Sequence, residues 1–164
     1  MNNTEKELTA QEILENEEEE NAVEESSTVK GFLTFVSDGL TFGVPTEQVM
    51  EIITNHQICS IPLVPDYVRG VINLRGQTIP IIDIRLCLGK PFVEYSSTTC
   101  IIILDIGADR VGIGVDAVSQ VIAIDTTEAS PVPLENRQKL APSMVTTEDG
   151  KVVLLLNCPA LIEP

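Results

Sequence analysis

Two stretches of this chain, GVPTEQVMEII at residues 43–53 and GIGVDAVSQVI at 112–122, superpose at an offset of 69 residues with three identities and four conservative pairs. A second match sets RGQTIPIID (75–83) over DGKVVLLLN (149–157) at an offset of 74, each a turn glycine followed by an apolar strand. Two copies of one unit therefore fill most of the chain. Each copy has only about 65–70 residues, a size at which a lone core is marginal, so the two must pack together and share apolar surface.

The texture of each copy is β. From Gly31 onward, short runs rich in Val, Ile and Thr are separated by turn residues every eight to twelve positions, the pattern of a small all-β barrel or sandwich. Leu40, Phe42 and Val44 alternate with Thr41 and Gly43, and Val111, Ile113 and Val115 alternate with Gly112 and Gly114, as strands with one buried face require. The turns SDG and GADR precede these strands. Continuous runs such as CIIILDI and KVVLLL predict strands covered on both faces. The alternating glycines of GIG (112–114) predict close packing of a neighbouring backbone. Residues 1–28 read differently: the first 25 hold ten acids and one lysine, a composition that predicts a disordered tail. A weak helical pattern at Leu8, Ile13 and Leu14 is opposed by the glutamate run that follows. Residues 29–164 are expected to form the folded domain.

Charge and motif content narrow the function. A net charge of −15 and a pI near 4.2 repel phosphate backbones and anionic lipid, which argues against nucleic acid and membrane surfaces as partners. Cys59, Cys87, Cys100 and Cys158 are scattered in apolar flanks with one histidine, His56, in the whole chain. They are expected to be small buried hydrophobes in a reducing cytosol rather than a zinc or redox site. No segment has the pattern of a signal peptide or a spanning helix, so a cytoplasmic location is expected. His56 in TNHQICS is the one candidate base and reads as an exposed loop residue. Asp83, Asp105, Asp116 and Asp125 fall at strand ends or turns, where aspartate caps backbone amides. Neither a Walker loop nor a G-x-G-x-x-G is present, and neither catalysis nor a cofactor is expected.

The hairpin GVINLRGQTIPIID (70–83) stands out. LRGQ supplies a two-residue turn in which Gly76 takes a positive φ at little cost. Arg75 has no such explanation, because turn chemistry does not ask for arginine. Two readings stay open for it: an interface anchor on a stiff tip, or a partner in a salt bridge to a nearby aspartate.

VPDYVRGVINLRGQTIPIIDIRLCLG (64–89), together with GFLTFVSDGLTFGVPTEQVMEII and IIILDIGADRVGIGVDAVSQVIAI, resembles the CheW family, the coupling proteins of bacterial chemotaxis. The resemblance implies two five-stranded SH3-like β-barrels around a shared hydrophobic core. The first would span about 40–90 and the second about 100–155, with strands at the ends crossing over. It implies an adaptor with no enzymatic activity and no cofactor, monomeric when free, cytoplasmic and recruited to membrane receptor arrays. The implied partners are the signalling tip of a methyl-accepting chemotaxis receptor and the regulatory domain of the histidine kinase CheA. Carried over residue by residue, the receptor side falls on Val49, Glu51, Ile52, Gly70, Arg75 and Gly76, with Val115 and Val118 from the second copy. The kinase side falls on Ile58, Cys59 and Ile61, and a second kinase contact falls on Leu140 in EASPVPLENRQKLAPSM, where the chain departs from the family pattern. The resemblance also admits an adaptor of a parallel pathway controlling twitching, gliding or development. A single-stranded nucleic-acid-binding barrel is a more distant alternative, disfavoured by six Phe and Tyr, no Trp and the negative charge.

Overall fold

A computed structural model describes residues 28–54, 56–133 and 139–162. The expected acidic tail, apart from Thr28, lies outside the described residues. The elements run β1 (Val29–Ser37), β2 (Leu40–Pro45), β3 (Val49–Thr54), β4 (Val68–Leu74), β5 (Gln77–Asp83), α1 (Ile84–Cys87), β6 (Cys100–Ile106), β7 (Asp109–Val115), β8 (Ala117–Asp125), β9 (Ser130–Pro131), β10 (Ser143–Thr146) and β11 (Val152–Leu155). The class is all-β. One sheet has the order β8-β1-β2-β11-β10-β9 and the other β3-β6-β7-β5-β4.

The repeat explains this order. β1, β2 and β8 correspond to β6, β7 and β3, and β10–β11 correspond to β4–β5, so each sheet takes two strands from one copy and three from the other, with the short β9 added at the end of the six-stranded sheet. Even the register repeats: Ile81 on β5 lies beside Gly112 on β7, and Leu155 on β11 lies beside Gly43 on β2, both in parallel pairs. Because neighbouring strands come from different halves of the chain, neither half completes a sheet by itself.

Three apolar clusters follow from strand alternation. Between the sheets lies the central core, with Phe35, Phe42 and Val44 from one side meeting Ile102, Leu104, Ile113 and Val115 from the other. The stacked rings of Phe35 and Phe42, 5.4 Å apart at their centroids, sit at its middle. The opposite face of the five-stranded sheet wraps Ile72, Ile79, Ile81, Ile101 and Ile103. The opposite face of the six-stranded sheet wraps Phe32, Ile124, Val145 and Val153.

Three expectations change. β6 is covered on both faces, with Ile101 to Leu104 all buried, but β11 is not: Val152 is exposed and Leu154 and Leu155 are half-buried. The reason is that β11 joins β2 over only two residues and its neighbour β10 has only four. The glycines of GIG admit side chains rather than backbone. A Cβ at Gly112 would lie 2.5 Å from Ile81 Cδ1 and 2.9 Å from Ile101 Cγ2, and one at Gly114 would overlap the Tyr95 hydroxyl. Cys158 is buried, and burial pushes the Cys87 and Cys158 thiols up to about 12, whereas Cys59 is exposed.

Candidate functional site

The hairpin tip is a tight two-residue turn. Leu74 pairs with Gln77, and the two residues between them have φ of +52° (Arg75) and +84° (Gly76). Both central residues positive is the turn whose twist matches the flanking strands. Asn73 Oδ1 accepts a hydrogen bond from the Gly76 amide at 3.1 Å and steadies it. A left-handed conformation at a non-glycine residue costs about 1 kcal/mol, so Arg75 must gain something there.

What it gains is Glu51. Arg75 Nη1 donates to Glu51 Oε2 at 3.0 Å and Nη2 to Oε1 at 2.8 Å. Of the two readings of Arg75, the salt bridge is present, with a glutamate 24 positions away rather than a nearby aspartate. Glu51 is on β3 and Arg75 is at the end of β4, the two strands at opposite ends of the five-stranded sheet. The pair therefore crosses the seam where this sheet curls around its isoleucines. Even so held, the Arg75 side chain is 76% exposed against 28% for Glu51. Its remaining N–H donors face solvent.

The other expected receptor-side residues divide by burial. Alternation along β3 exposes Met50 and Ile52, at 46% and 41%, and half-buries Val49, Glu51 and Ile53. A bulge between Val49 and Glu51 turns Val49 onto the central core, and Val118, its repeat equivalent, packs against that core as well. Gly76 is exposed at the tip. Val115 is 2% exposed and Leu140 7%, so both are core residues that offer no side-chain surface to a partner, a correction to the sequence reading. Gly70 is also buried. At φ +144° its missing Cβ makes room for the Cys59 carbonyl, so the fold itself requires glycine there.

That contact links Gly70 to the other expected surface. Cys59 bridges Val71 on the outer edge of β4 through two backbone hydrogen bonds of 2.8 and 2.9 Å. Ile58 leans into the isoleucine cluster, while Cys59 and Ile61 are exposed. The sequence reading missed Leu63, fully exposed at φ +61° between Pro62 and Pro65. This conformation is unfavourable for an aliphatic residue, and Leu63 stands beside the exposed Ile61. Its signal was present as IPLVP, a leucine fenced by prolines. Phe92, 38% exposed, adds an aromatic whose ring carries the Arg69 guanidinium at 3.9 Å. With Ile58, Ser60, Glu94 and Tyr95 these line a shallow pocket of about 330 Å³.

Ion pairing also explains what the sequence assigned to turn capping. Asp83 does cap α1, accepting from the Leu86 amide at 3.1 Å, and it also accepts from the Tyr95 hydroxyl at 2.9 Å. Asp125 caps Thr127. Asp116, however, receives Arg85 through Nε and Nη2 at 3.1 and 2.5 Å, while Arg85 Nη1 reaches Asp38 at 2.8 Å. The helix after β5 is thereby tied to the β1–β2 turn of the six-stranded sheet and to the β7–β8 turn, where the chain passes from one sheet to the other. Partial burial pushes the Asp116 carboxyl up, but the Arg85 hydrogen bond, the Asp38 amide and the Arg85 charge together hold it below the usual range. His56 is exposed in its loop. Among the described residues, no helix is long and apolar enough to cross a membrane.

Comparison with known proteins places this fold in a family. The family model described as CheW-like domain matches residues 31–164. The chain is 37% identical over 102 residues to the chemotaxis protein CheW of Klebsiella aerogenes, a match covering 62% of this chain and 61% of that protein. It is 28% identical over 142 residues to the chemotaxis protein CheW of Bacillus subtilis, covering 85% of this chain and 90% of that one. Among solved structures, the scaffolding protein TtCheW from Thermoanaerobacter tengcongensis superposes with a TM-score of 0.72 at 30% identity, covering 78% of this chain and 88% of that one.

Proposed function

Because this chain belongs to the CheW-like family of chemotaxis coupling proteins, we propose that it joins the signalling tip of a methyl-accepting chemotaxis receptor to the regulatory domain of the histidine kinase CheA, in the cytoplasm and without chemistry of its own. The observation that carries this reading is the Arg75–Glu51 pair. It fixes a guanidinium on a stiff turn while leaving most of it in water. A helical receptor hairpin bearing carboxylates can accept the free N–H donors of Arg75, and such charge-assisted bonds orient a partner more than they hold it. Burial comes from apolar neighbours, of which Ile52 and Met50 on β3 are exposed. In this reading Arg75 and Glu51 set the angle of approach, and Ile52, Val49 and Val118 supply contact area.

The kinase domain docks on the strip from Ile58 to Leu63 that covers the β4 edge. Exposed strand edges and apolar residues are suited to stacking against another β-module. Each contact is modest by itself, and the assembled receptor–kinase complex gains its strength from engaging both at once.

Calorimetric titration of the chain with the CheA regulatory domain and, separately, with a receptor signalling tip tests this. Saturable binding to both is expected. Ile61→Asp, which puts a charge on a strip that must desolvate, should weaken the kinase titration and spare the receptor one. Binding to neither partner by a folded sample overturns the reading.

A further inference from the structure

Of the four arginines among the described residues, three have polar partners. Arg75 holds Glu51, Arg85 holds Asp38 and Asp116, and Arg110 donates to Gln77. Arg69 has no carboxylate partner among the described residues, in a chain with 25 acidic residues against 10 basic ones. Its contact is the ring of the exposed Phe92, with the guanidinium carbon 3.9 Å from the centroid.

That placement is built into the sheet. β4 bulges where Val68 pairs with Ile82 and Gly70 with Ile81, so Arg69 is the extra residue between them. A bulge re-aims one side chain and leaves its neighbours in place. Val68 still packs against the central core and Ile72 against the other isoleucines, while Arg69 turns onto Phe92. Phe92 is held in its turn. Its ring lies 5.9 Å from that of Tyr95, whose hydroxyl donates to the buried Asp83 at 2.9 Å and fills the space that Gly114 leaves. A guanidinium fixed on an aromatic face keeps its N–H donors for another acceptor, and it has less freedom left to lose on binding.

Ile58, Ser60, Glu94 and Tyr95 line the same shallow pocket as Arg69 and Phe92, so this cation stands beside the strip proposed above for the kinase domain. Glu94 forms no ion pair with it. Resting on that reading, we infer that Arg69 is a specificity residue of the kinase-docking face: it receives an aspartate or glutamate side chain of the CheA regulatory domain through a charge-assisted, two-pronged hydrogen bond, while Phe92 takes the apolar neighbours of that carboxylate. Phe92 also positions the cation. Arg75 lies at the far end of β4, about 20 Å away at the rise of a strand, so the two arginines meet different partners.

The test is calorimetric titration of the full chain with the CheA regulatory domain, run beside Ile61→Asp and beside a receptor-tip titration. Arg69→Ala should weaken kinase-domain binding about tenfold and leave receptor-tip binding and the urea midpoint unchanged. It should also flatten the fall of kinase affinity between about 0.05 M and about 0.5 M salt. Arg69→Lys, which keeps the charge and loses the fork, should restore part of the affinity. Phe92→Leu should weaken binding about threefold with Arg69 in place and have no effect once Arg69 is alanine, a coupling that a merely structural ring would not show. If Ile61→Asp weakens the kinase titration while Arg69→Ala leaves it unchanged, the docking reading stands and this inference falls. Raised affinity in Arg69→Ala, the result expected if the chain's own acidic residues 1–25 occupied Arg69, also overturns it. No binding by the unaltered chain overturns both.

Discussion

Gly43 and Gly112 occupy the same place in the repeat and the same register beside a parallel neighbour, yet their surroundings differ. Three isoleucine side chains press on Gly112, at 2.5, 2.9 and 3.1 Å from where a Cβ would be, whereas Gly43 meets only Val153 at 3.1 Å and Phe32 from 3.4 Å. The same contrast recurs where Arg75 and Glu51 pair, since their repeat equivalents, Asp149 and Gln120, carry no opposite charges. It recurs inside as well, since the six-stranded sheet buries Thr34, whose hydroxyl must be satisfied by the Gln120 carbonyl at 2.7 Å. One backbone plan thus supports two degrees of consolidation. The tightly packed five-stranded sheet fixes the geometry of the proposed receptor face, and the six-stranded sheet is the looser of the two.

Substitutions can break this contrast. Gly112→Ala is expected to cost about 2–3 kcal/mol, because three isoleucines on the two flanking strands, β5 and β6, must shift together. Gly43→Ala should cost about 1 kcal/mol or less, since one valine can give way. Urea unfolding of the two variants measures the difference, and equal costs would remove it. Gly70→Ala comes next, at about 2 kcal/mol, since its Cβ would strike the Cys59 carbonyl and detach the strip. Faster amide exchange at Cys59 and Val71 should accompany it.

The ion pairs sharpen the comparison at a smaller scale. Asp116 with Arg85 ties α1 to the corner where β7 passes into β8, and the folded carboxyl lies below its ordinary 3.8. Its contribution, about 1 kcal/mol after allowing for solvent screening, is therefore fully present above that value and is lost as pH falls through the lower folded one. Asp116→Asn should flatten the stability profile between pH 5 and pH 2, as followed by urea midpoints at each pH, with about those limits set by the carboxylate range. Arg75→Ala should change stability least, by less than about 1 kcal/mol, because the pair is exposed, and because the substitution still leaves a left-handed residue in the turn.

Much of this was legible in the sequence. The repeat foretold that two copies share one core, since units so short cannot bury enough surface alone. The hairpin and its glycine could be read from turn chemistry. The alternation of Val111, Ile113 and Val115 already placed Val115 on a buried face, and Val118, across the turn onto β8, is the one that reaches the core's rim. What sequence could not supply was pairing at a distance. Arg75 finds Glu51 because a sheet curls, and Arg85 finds Asp38 and Asp116 because two turns from different copies meet at one helix. Nor does strand pattern reveal which sheet packs tightly, because the equivalent glycines look the same until their neighbours are placed.

The central claim is that Arg75, held by Glu51, orients a receptor without holding the fold together. Calorimetric titration of Arg75→Ala against both the receptor tip and the CheA regulatory domain tests it most directly. The account predicts receptor affinity reduced about tenfold or more, with kinase-domain affinity and the urea midpoint nearly unchanged. Equal loss of both affinities, or receptor binding that survives intact, would contradict it.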